Sequence, residues 1–334
     1  MKSDTAVIMR IVYVVLLVTL FACYANSDIK AATKRQVPVT DTRRSLRKRC
    51  NMPEEYSRND LAAKYLQAMK VSLTGTLLKT PKVLPNVGNA SLLQEMAYDE
   101  AKRVAGEDWP KFGLTMVGEH RLDNIHDLLK RIIQDDVPGD FVECGVWRGG
   151  ASMYAKAVVE AYAPRSRRVH LVDSFEGLPK STTPTPVDND LWSRMDYLKV
   201  GKDDIADGFK KLGLLDGGVL FHKGFFRYSA ARLRDELHVD HKGIALLRMD
   251  GDMYESTMDI LYNLYDLVPA SGCVIVDDWT IPECRRAIEE FRTRNKVHDE
   301  VVSIDDRAVF WCKSHAREID QSWYNQFNAS RKAE

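Results

Sequence analysis

The chain has 334 residues, 45% of them hydrophobic and 29% charged, enough apolar material for a full core and too much for an intrinsically disordered protein. Its 48 basic and 48 acidic side chains cancel, which argues against a general nucleic-acid or polyanion binder. The balance is uneven along the chain: residues 1–50 carry 10 Lys and Arg against 3 Asp and Glu, a net of +7, and the remainder carries −7.

The first element is a run without charge, the 15 residues Ile11 to Ala25. It is shorter than the roughly 20 apolar residues of a spanning helix. Ala6 to Met9 lengthen it if Arg10 snorkels, giving a membrane anchor through residues 6–25. Cys23-Tyr24-Ala25 equally places small residues at a cleavage site. Residues 1–25 are therefore expected to be a signal peptide or a signal anchor, and the basic, period-free residues 26–50 a disordered stem. The body is then expected in the secretory pathway, lumenal or secreted, or as a single-pass type II membrane protein. Two sequons, Asn89-Ala90-Ser91 and Asn328-Ala329-Ser330, are compatible with that placement. Six cysteines show no C-x-x-C pair, so no zinc knuckle or thioredoxin-like site is written here; their pairing stays open. Cys144 and Cys273 lie in apolar strand-like runs suited to burial.

Residues 51–118 read as an irregular helical region capping the face that carries the chemistry. From Glu119 the pattern alternates between helix and buried strand, as in a βαβ sheet. Leu122, Ile125, Leu128, Leu129, Ile132 and Ile133 mark an amphipathic helix ended by Pro138-Gly139. Strands are expected at Phe141–Val146, Val169–Phe175, Val219–Lys223, Gly243–Asp250, Gly272–Asp278, Val301–Ile304 and Ala308–Cys312. Helices are expected at Ala151–Ala161, Asp204–Leu212, Ala230–Leu237, Ser256–Leu267 and Glu283–Arg294. The last two strands form a closing hairpin, so the α/β sheet is mostly parallel and seven-stranded with one antiparallel edge strand, and its domain spans 119–315 before a tail at 316–334. Gly177 to Gly201, with three prolines and Trp192, reads as a lid or substrate loop.

Three strand ends carry chemistry. Phe141-Val-Glu-Cys-Gly-Val-Trp-Arg-Gly-Gly150 is a buried strand entering a glycine turn and a helix, the place where α/β sheets bind nucleotides. Glu143 stands where a dinucleotide fingerprint has its first glycine. A carboxylate there repels a pyrophosphate and suits a cationic donor such as S-adenosylmethionine. Asp173, ending the next strand, is placed to accept hydrogen bonds from ribose hydroxyls. Asp250, Asp277 and Asp278 end two further strands. If those are neighbours, about 4.8 Å apart, the acids surround one small hard cation, Mg2+. The segment after Asp250 is no calcium loop, since Tyr254 and Glu255 occupy the positions of the fifth ligand and the glycine.

Those motifs, together with Asp173-Ser-Phe-Glu-Gly-Leu-Pro179, Leu247-Arg-Met-Asp-Gly-Asp-Met-Tyr-Glu-Ser-Thr257 and Gly272-Cys-Val-Ile-Val-Asp-Asp278, resemble the macrocin O-methyltransferase family of TylF/MycF type from about Thr115 to Arg294. The resemblance implies a Rossmann-like class I methyltransferase fold that methylates a sugar hydroxyl with S-adenosylmethionine and magnesium. It implies Asp250, Asp277 and Asp278 as metal ligands. It places Glu143, Gly145, Val146, Trp147 and Asp173 along the cofactor, with Ser152, Ser174 and Phe175 beside them and Thr115-Met116 as a loop over it. Asp250 is expected to take the acceptor proton as catalytic base; Met253 stands where catechol-type enzymes carry a lysine, and His222 is an alternative base. The family members lack the leader and stem, and Thr182–Lys199 matches poorly, which leaves the acceptor undefined beyond a small molecule bearing a hydroxyl, such as a sugar. Trp147, Trp192 and Tyr197 are candidates to stack on it. No nucleic-acid partner is expected, and a homo-oligomer stays open. The rival reading is a type II lumenal glycosyltransferase whose Asp250-x-Asp252 holds Mn2+ and a sugar diphosphate. It leaves Asp277 and Asp278 without a role.

Overall fold

The structure, a computed structural model, describes residues 57–86, 89–183, 188, 190–240 and 242–332. The leader, the stem, Cys23 and Cys50 lie outside the described residues. The chain divides into two compact units, one ending at Ala68 and the other spanning Met69–Glu334. In the first of these units, residues 58–68 form the start of α1 (Arg58–Leu73).

Between α1 and the main sheet, the region expected to be helical instead contains a small antiparallel sheet in the order β2-β1-β3, made of β1 (Lys82–Asn86), β2 (Asn89–Met96) and β3 (Trp109–Pro110). A short helix, α2 (Glu100–Ala105), capped by Asp99 through the Lys102 amide at 3.2 Å, connects β2 to β3.

The main sheet has the order β6-β5-β4-β7-β8-β10-β9. Its strands are β4 (Asp140–Cys144), β5 (Val169–Asp173), β6 (Val219–Lys223), β7 (Ile244–Met249), β8 (Cys273–Val276), β9 (Val302–Ser303) and β10 (Val309–Cys312). β4 through β8 are parallel to their neighbours, while β10 runs antiparallel to both β8 and β9 and closes that edge. This is the expected sheet. Strands β4, β5, β7 and β8 stop one or two residues short of the expected ends because Gly145, Ser174, Asp250 and Asp277 leave the ladder to build the site. Cys273 and Cys312 are register partners on β8 and β10, with Cα atoms 4.0 Å apart, and form a disulfide; Cys144 and Cys284 are buried thiols.

The central strands β4 and β7 are buried along their whole length, as strands covered on both faces must be. Alternation sends Val142, Cys144, Leu247, Met249, Val274 and Val276 into one core cluster, which also contains buried residues of α6 (Phe226–Val239), α7 (Tyr254–Leu264) and α8 (Pro282–Arg294). The alternate residues, Phe141, Glu143, Leu246 and Arg248, point to the other face. There α3 (Glu119–Gln134) and α4 (Gly150–Tyr162) pack together. The remaining helices are α5 (Lys202–Lys211) and α9 (Ser322–Ser330). Every residue of α7 is buried, because α6, α8 and the sheet surround it. Leu261→Ala, at a fully buried position on α7, is expected to cost about 2–5 kcal/mol. A urea unfolding midpoint equal to wild type would show that α7 is not part of this core.

Candidate active site

The site lies at the carboxyl ends of β4, β5, β7 and β8. β4 runs into a turn that only glycine permits at its first residue: Gly145 has φ +86°, and a Cβ there would lie 1.7 Å from the Asp250 carbonyl oxygen. The turn continues through Trp147 and Gly149, both at positive φ, and delivers the first turn of α4 against the Leu114 carbonyl, which accepts from the Gly150 amide at 3.0 Å. That contact carries the 114–116 segment over the turn, with Met116 on the cavity wall.

Asp173 ties the two neighbouring strand ends together. One carboxylate oxygen accepts from the Val146 amide at 2.8 Å and the other from the Phe175 amide at 2.7 Å. Burial raises its pKa, and these amide donors oppose the rise. The Trp147 indole donates to the Tyr197 carbonyl at 2.9 Å, and Arg148 lies 4.2 Å from the Trp147 ring while donating to the carbonyls of Pro110, Lys111 and Gly113. Tyr197 is itself buried, stacked on Trp109 at 5.2 Å and donating to the Pro110 carbonyl at 2.6 Å. It is a packing anchor for the loop, and Trp192 is absent from the cavity wall.

β7 and β8 are neighbours, as the acid pair required. The Asp250 amide donates to Cys144 O at 2.8 Å and the Asp277 amide to Met249 O at 2.9 Å, so each acid begins where its strand's ladder ends. Asp277 and Asp278 then diverge. Asp277 takes Arg121 from α3 on one oxygen at 2.6 Å and Arg248 on the other at 2.5 Å. These guanidiniums hold its pKa down against the burial that would raise it. Asp278 instead joins Asp250 and Asp252, each offering an oxygen within 4.8 Å of the others, and accepts the Asp252 amide at 2.9 Å. The three acids thus brought together are Asp250, Asp252 and Asp278. Burial, then mutual repulsion, raises Asp250 to about 6 and Asp252 to about 8, and lifts Asp278 well above the usual carboxylate range.

Glu143 and Ser152 stand behind this wall. Glu143 is buried, accepts from the Ser152 hydroxyl, and pairs with Arg248 at 2.5 Å. Arg248 also reaches Asp250 at 2.9 Å. Burial raises Glu143 to about 7 against the pull of Arg248. His222 faces His170 at 3.0 Å and Glu236 at 3.5 Å, and burial lowers its pKa to about 4; it does not line the cavity.

These strand ends surround a cleft open to solvent. Met116, Gly145, Trp147, Asp173 and Ser174 line one side, and Phe225, Phe226, Asp252, Ser256 and Asp259 another. Val146 and Phe175 do not line the cavity; their amides donate to Asp173. Sequence reasoning had no role for Arg121, Arg148 or Arg248, since isolated arginines carry no spacing signal; Asp252 was visible only within the rival D-x-D motif.

A mostly parallel seven-stranded sheet with a glycine turn, an acid on the second strand end and a cavity at that edge defines a class I, S-adenosylmethionine-dependent methyltransferase. The family model described as Macrocin-O-methyltransferase (TylF) matches residues 62–313, and the chain belongs to that family. It is 38% identical over 230 residues to the mycinamicin III 3''-O-methyltransferase of Micromonospora griseorubida, covering 67% of this chain and 88% of that protein. It is 37% identical over 251 residues, 74% of this chain and 91% of the other, to the 8-demethyl-8-(2,3-dimethoxy-alpha-L-rhamnosyl)-tetracenomycin-C 4'-O-methyltransferase of Streptomyces olivaceus. Among solved structures, the O-methyltransferase NovP superposes with a TM-score of 0.68 at 35% identity, over 76% of this chain and all of that one. The protein is thus an O-methyltransferase, and the glycosyltransferase reading is set aside.

The expectation of a lumenal, secreted or membrane-anchored protein is corrected by the same findings. The relatives are methyltransferases of Micromonospora and Streptomyces, and among the described residues, which begin at Ser57, no helix is long and apolar enough to cross a membrane.

Gly145→Ala tests the turn. A side chain there must displace the Asp250 backbone, so the variant is expected to bind S-adenosylhomocysteine at least about tenfold more weakly by calorimetry, in line with the cost of strain at a positive-φ glycine. Wild-type affinity would show that the turn does not shape the donor site.

Proposed function

We propose that this protein transfers the methyl group of S-adenosylmethionine to a hydroxyl of a sugar carried on a small molecule, with Mg2+ held by Asp250, Asp252 and Asp278. The observation that carries the reading is the opening of Asp250 and Asp252 into the same cavity as the glycine turn and Asp173. The donor set fits the cation: three carboxylates this close raise one another's pKa, and a divalent ion relieves that repulsion. Formal charge points the same way. Glu143, Asp250, Asp252, Asp277, Asp278 and Asp305 face only Arg121 and Arg248 within the described network. A divalent ion and a sulfonium donor offset the excess. The sugar acceptor is proposed from the relatives, one of which is named as an O-methyltransferase of a rhamnosyl-tetracenomycin.

When bound, the divalent ion supplies a Lewis acid that lowers the pKa of an acceptor hydroxyl. Asp277 is withdrawn from that duty by its two arginines. The turn and Asp173 would hold the donor, and Phe225, Phe226 and Ser256 would bound the space left for the acceptor, whose orientation toward the donor is what such a wall supplies. The hydroxyl proton passes to an aspartate on the wall. Asp250 was expected to take it, but its carboxylate accepts a guanidinium from Arg248 at 2.9 Å, which weakens it as a base. We assign the proton to the Asp252 carboxylate oxygen that the ion would leave free, since Asp252 has no arginine partner among the described residues.

The test is incubation with methyl-labelled S-adenosylmethionine and a panel of deoxysugar glycosides, followed by mass spectrometry. A labelled sugar methyl ether, lost with EDTA and restored by Mg2+, is expected. Methylation that persists in EDTA would exclude the metal, and labelling of an aglycone alone would exclude the sugar. Asp252→Asn is expected to lower kcat by about 10²–10⁴-fold, the usual worth of a general base, with S-adenosylhomocysteine affinity retained; turnover at the wild-type rate would remove Asp252 from the proton path.

A further inference from the structure

The acceptor side of the cavity is backed by a second buried ion network that the chemistry above does not use. Asp259 of α7 lines the cavity, and its Oδ1 accepts both the Tyr324 hydroxyl at 2.7 Å and Arg331 Nη1 at 2.6 Å. Arg331 lies just past α9, and its side chain is 1% exposed. The same guanidinium donates through Nε to the Thr182 hydroxyl at 2.6 Å and approaches Glu255 at 3.1 Å. Glu255 in turn accepts the amides of Thr182 and Thr183 at 3.0 and 3.2 Å and the Ser181 hydroxyl at 2.5 Å. Thr182 lies three residues beyond Pro179, which lines the cavity. One side chain therefore fastens a cavity-lining helix to the loop that leaves the cavity wall.

The far end of this arrangement is held independently. Tyr324 stacks on Tyr262 at 4.9 Å, and Arg227 of α6 donates to the carbonyls of Asn328 and Lys332, both at 2.9 Å. The Lys332 amide donates to the Thr182 carbonyl at 2.7 Å. α9 is thus anchored on α6 and α7 before Arg331 turns inward.

We propose that Arg331 is a positioning residue for methyl transfer: it joins Asp259, Glu255 and Thr182 into one block and so sets the acceptor wall without touching the donor side. A buried guanidinium paired in this way is stable only while its partners remain in place, and its planar fork reaches several of them in a way a lysine does not. The inference rests on the methyltransferase reading for its meaning, and its first readout does not depend on turnover.

The experiment compares wild type, Arg331→Ala and Arg331→Lys in the full chain by hydrogen exchange, calorimetry and kinetics. In Arg331→Ala the amides of residues 181–183 are expected to exchange about tenfold faster, as lost charge-assisted bonds predict, while peptides covering 141–150 and the affinity for S-adenosylhomocysteine stay within about twofold. Arg331→Lys is expected to fall between, and is read the same way if the alanine variant does not fold. With the glycoside that wild type methylates best, the acceptor KM is expected to rise about tenfold and the KM for S-adenosylmethionine to hold. Unchanged exchange at 181–183 overturns the proposal, as does a rise matched at 141–150 with equal loss of donor affinity, or an unchanged acceptor KM. A wild type that methylates no glycoside counts against the sugar reading alone, since the exchange result is obtained without an acceptor.

Discussion

The buried guanidinium of Arg248 is the constraint on which the site depends. It sits on β7 between β4 and β8, and contacts Glu143 at 2.5 Å, Asp250 at 2.9 Å and Asp277 at 2.5 Å. A charge that far from water is tolerated only if paired and hydrogen-bonded, and removing one member of such a group leaves another uncompensated. Three strand ends are therefore locked in one relative position by electrostatics as well as by the ladder. Arg121 extends the lock to α3 and to Asp305 near the antiparallel edge.

This lock explains why two adjacent aspartates behave differently. The peptide after Val276 turns one carboxylate toward the arginines and the next toward Asp250 and Asp252. The first has its charge offset by two arginines that hold its pKa down, and the second has its pKa raised by burial and by like charges. Structure and chemistry are divided along the chain residue by residue: Glu143, Arg248 and Asp277 belong to the frame, while Asp250 and Asp252 line the cavity with Asp278 beside them.

Most of the sheet was legible because its strands are short apolar runs ending in glycine or acid, a pattern that burial on both faces imposes. The donor half of the site was legible for the same reason, since Gly145 and Asp173 fall at fixed distances after such runs. The small antiparallel sheet was missed because β1 contains Pro85, which speaks against a strand, and Leu92-Leu93 breaks the alternation of β2. That Asp252 rather than Asp277 lies beside Asp250 and Asp278 was not legible, because spacing places carboxylates at a strand end but does not say which way each points or which arginine from α3 will meet it. Arg331 gave no signal at all. It lies in a segment without a motif, and its partners are 72, 76 and 149 residues away in sequence.

The central claim is that a carboxylate triad at the edge of the sheet, and not the arginine-held Asp277, binds the cation. The most direct measurement is a titration of the full chain with Mn2+ in the presence of S-adenosylhomocysteine, followed by electron paramagnetic resonance, for wild type, Asp252→Asn and Asp278→Asn. The account predicts one bound ion per chain in wild type and weakened binding in both variants. An ion bound with undiminished affinity in both variants, or none in wild type, would contradict it.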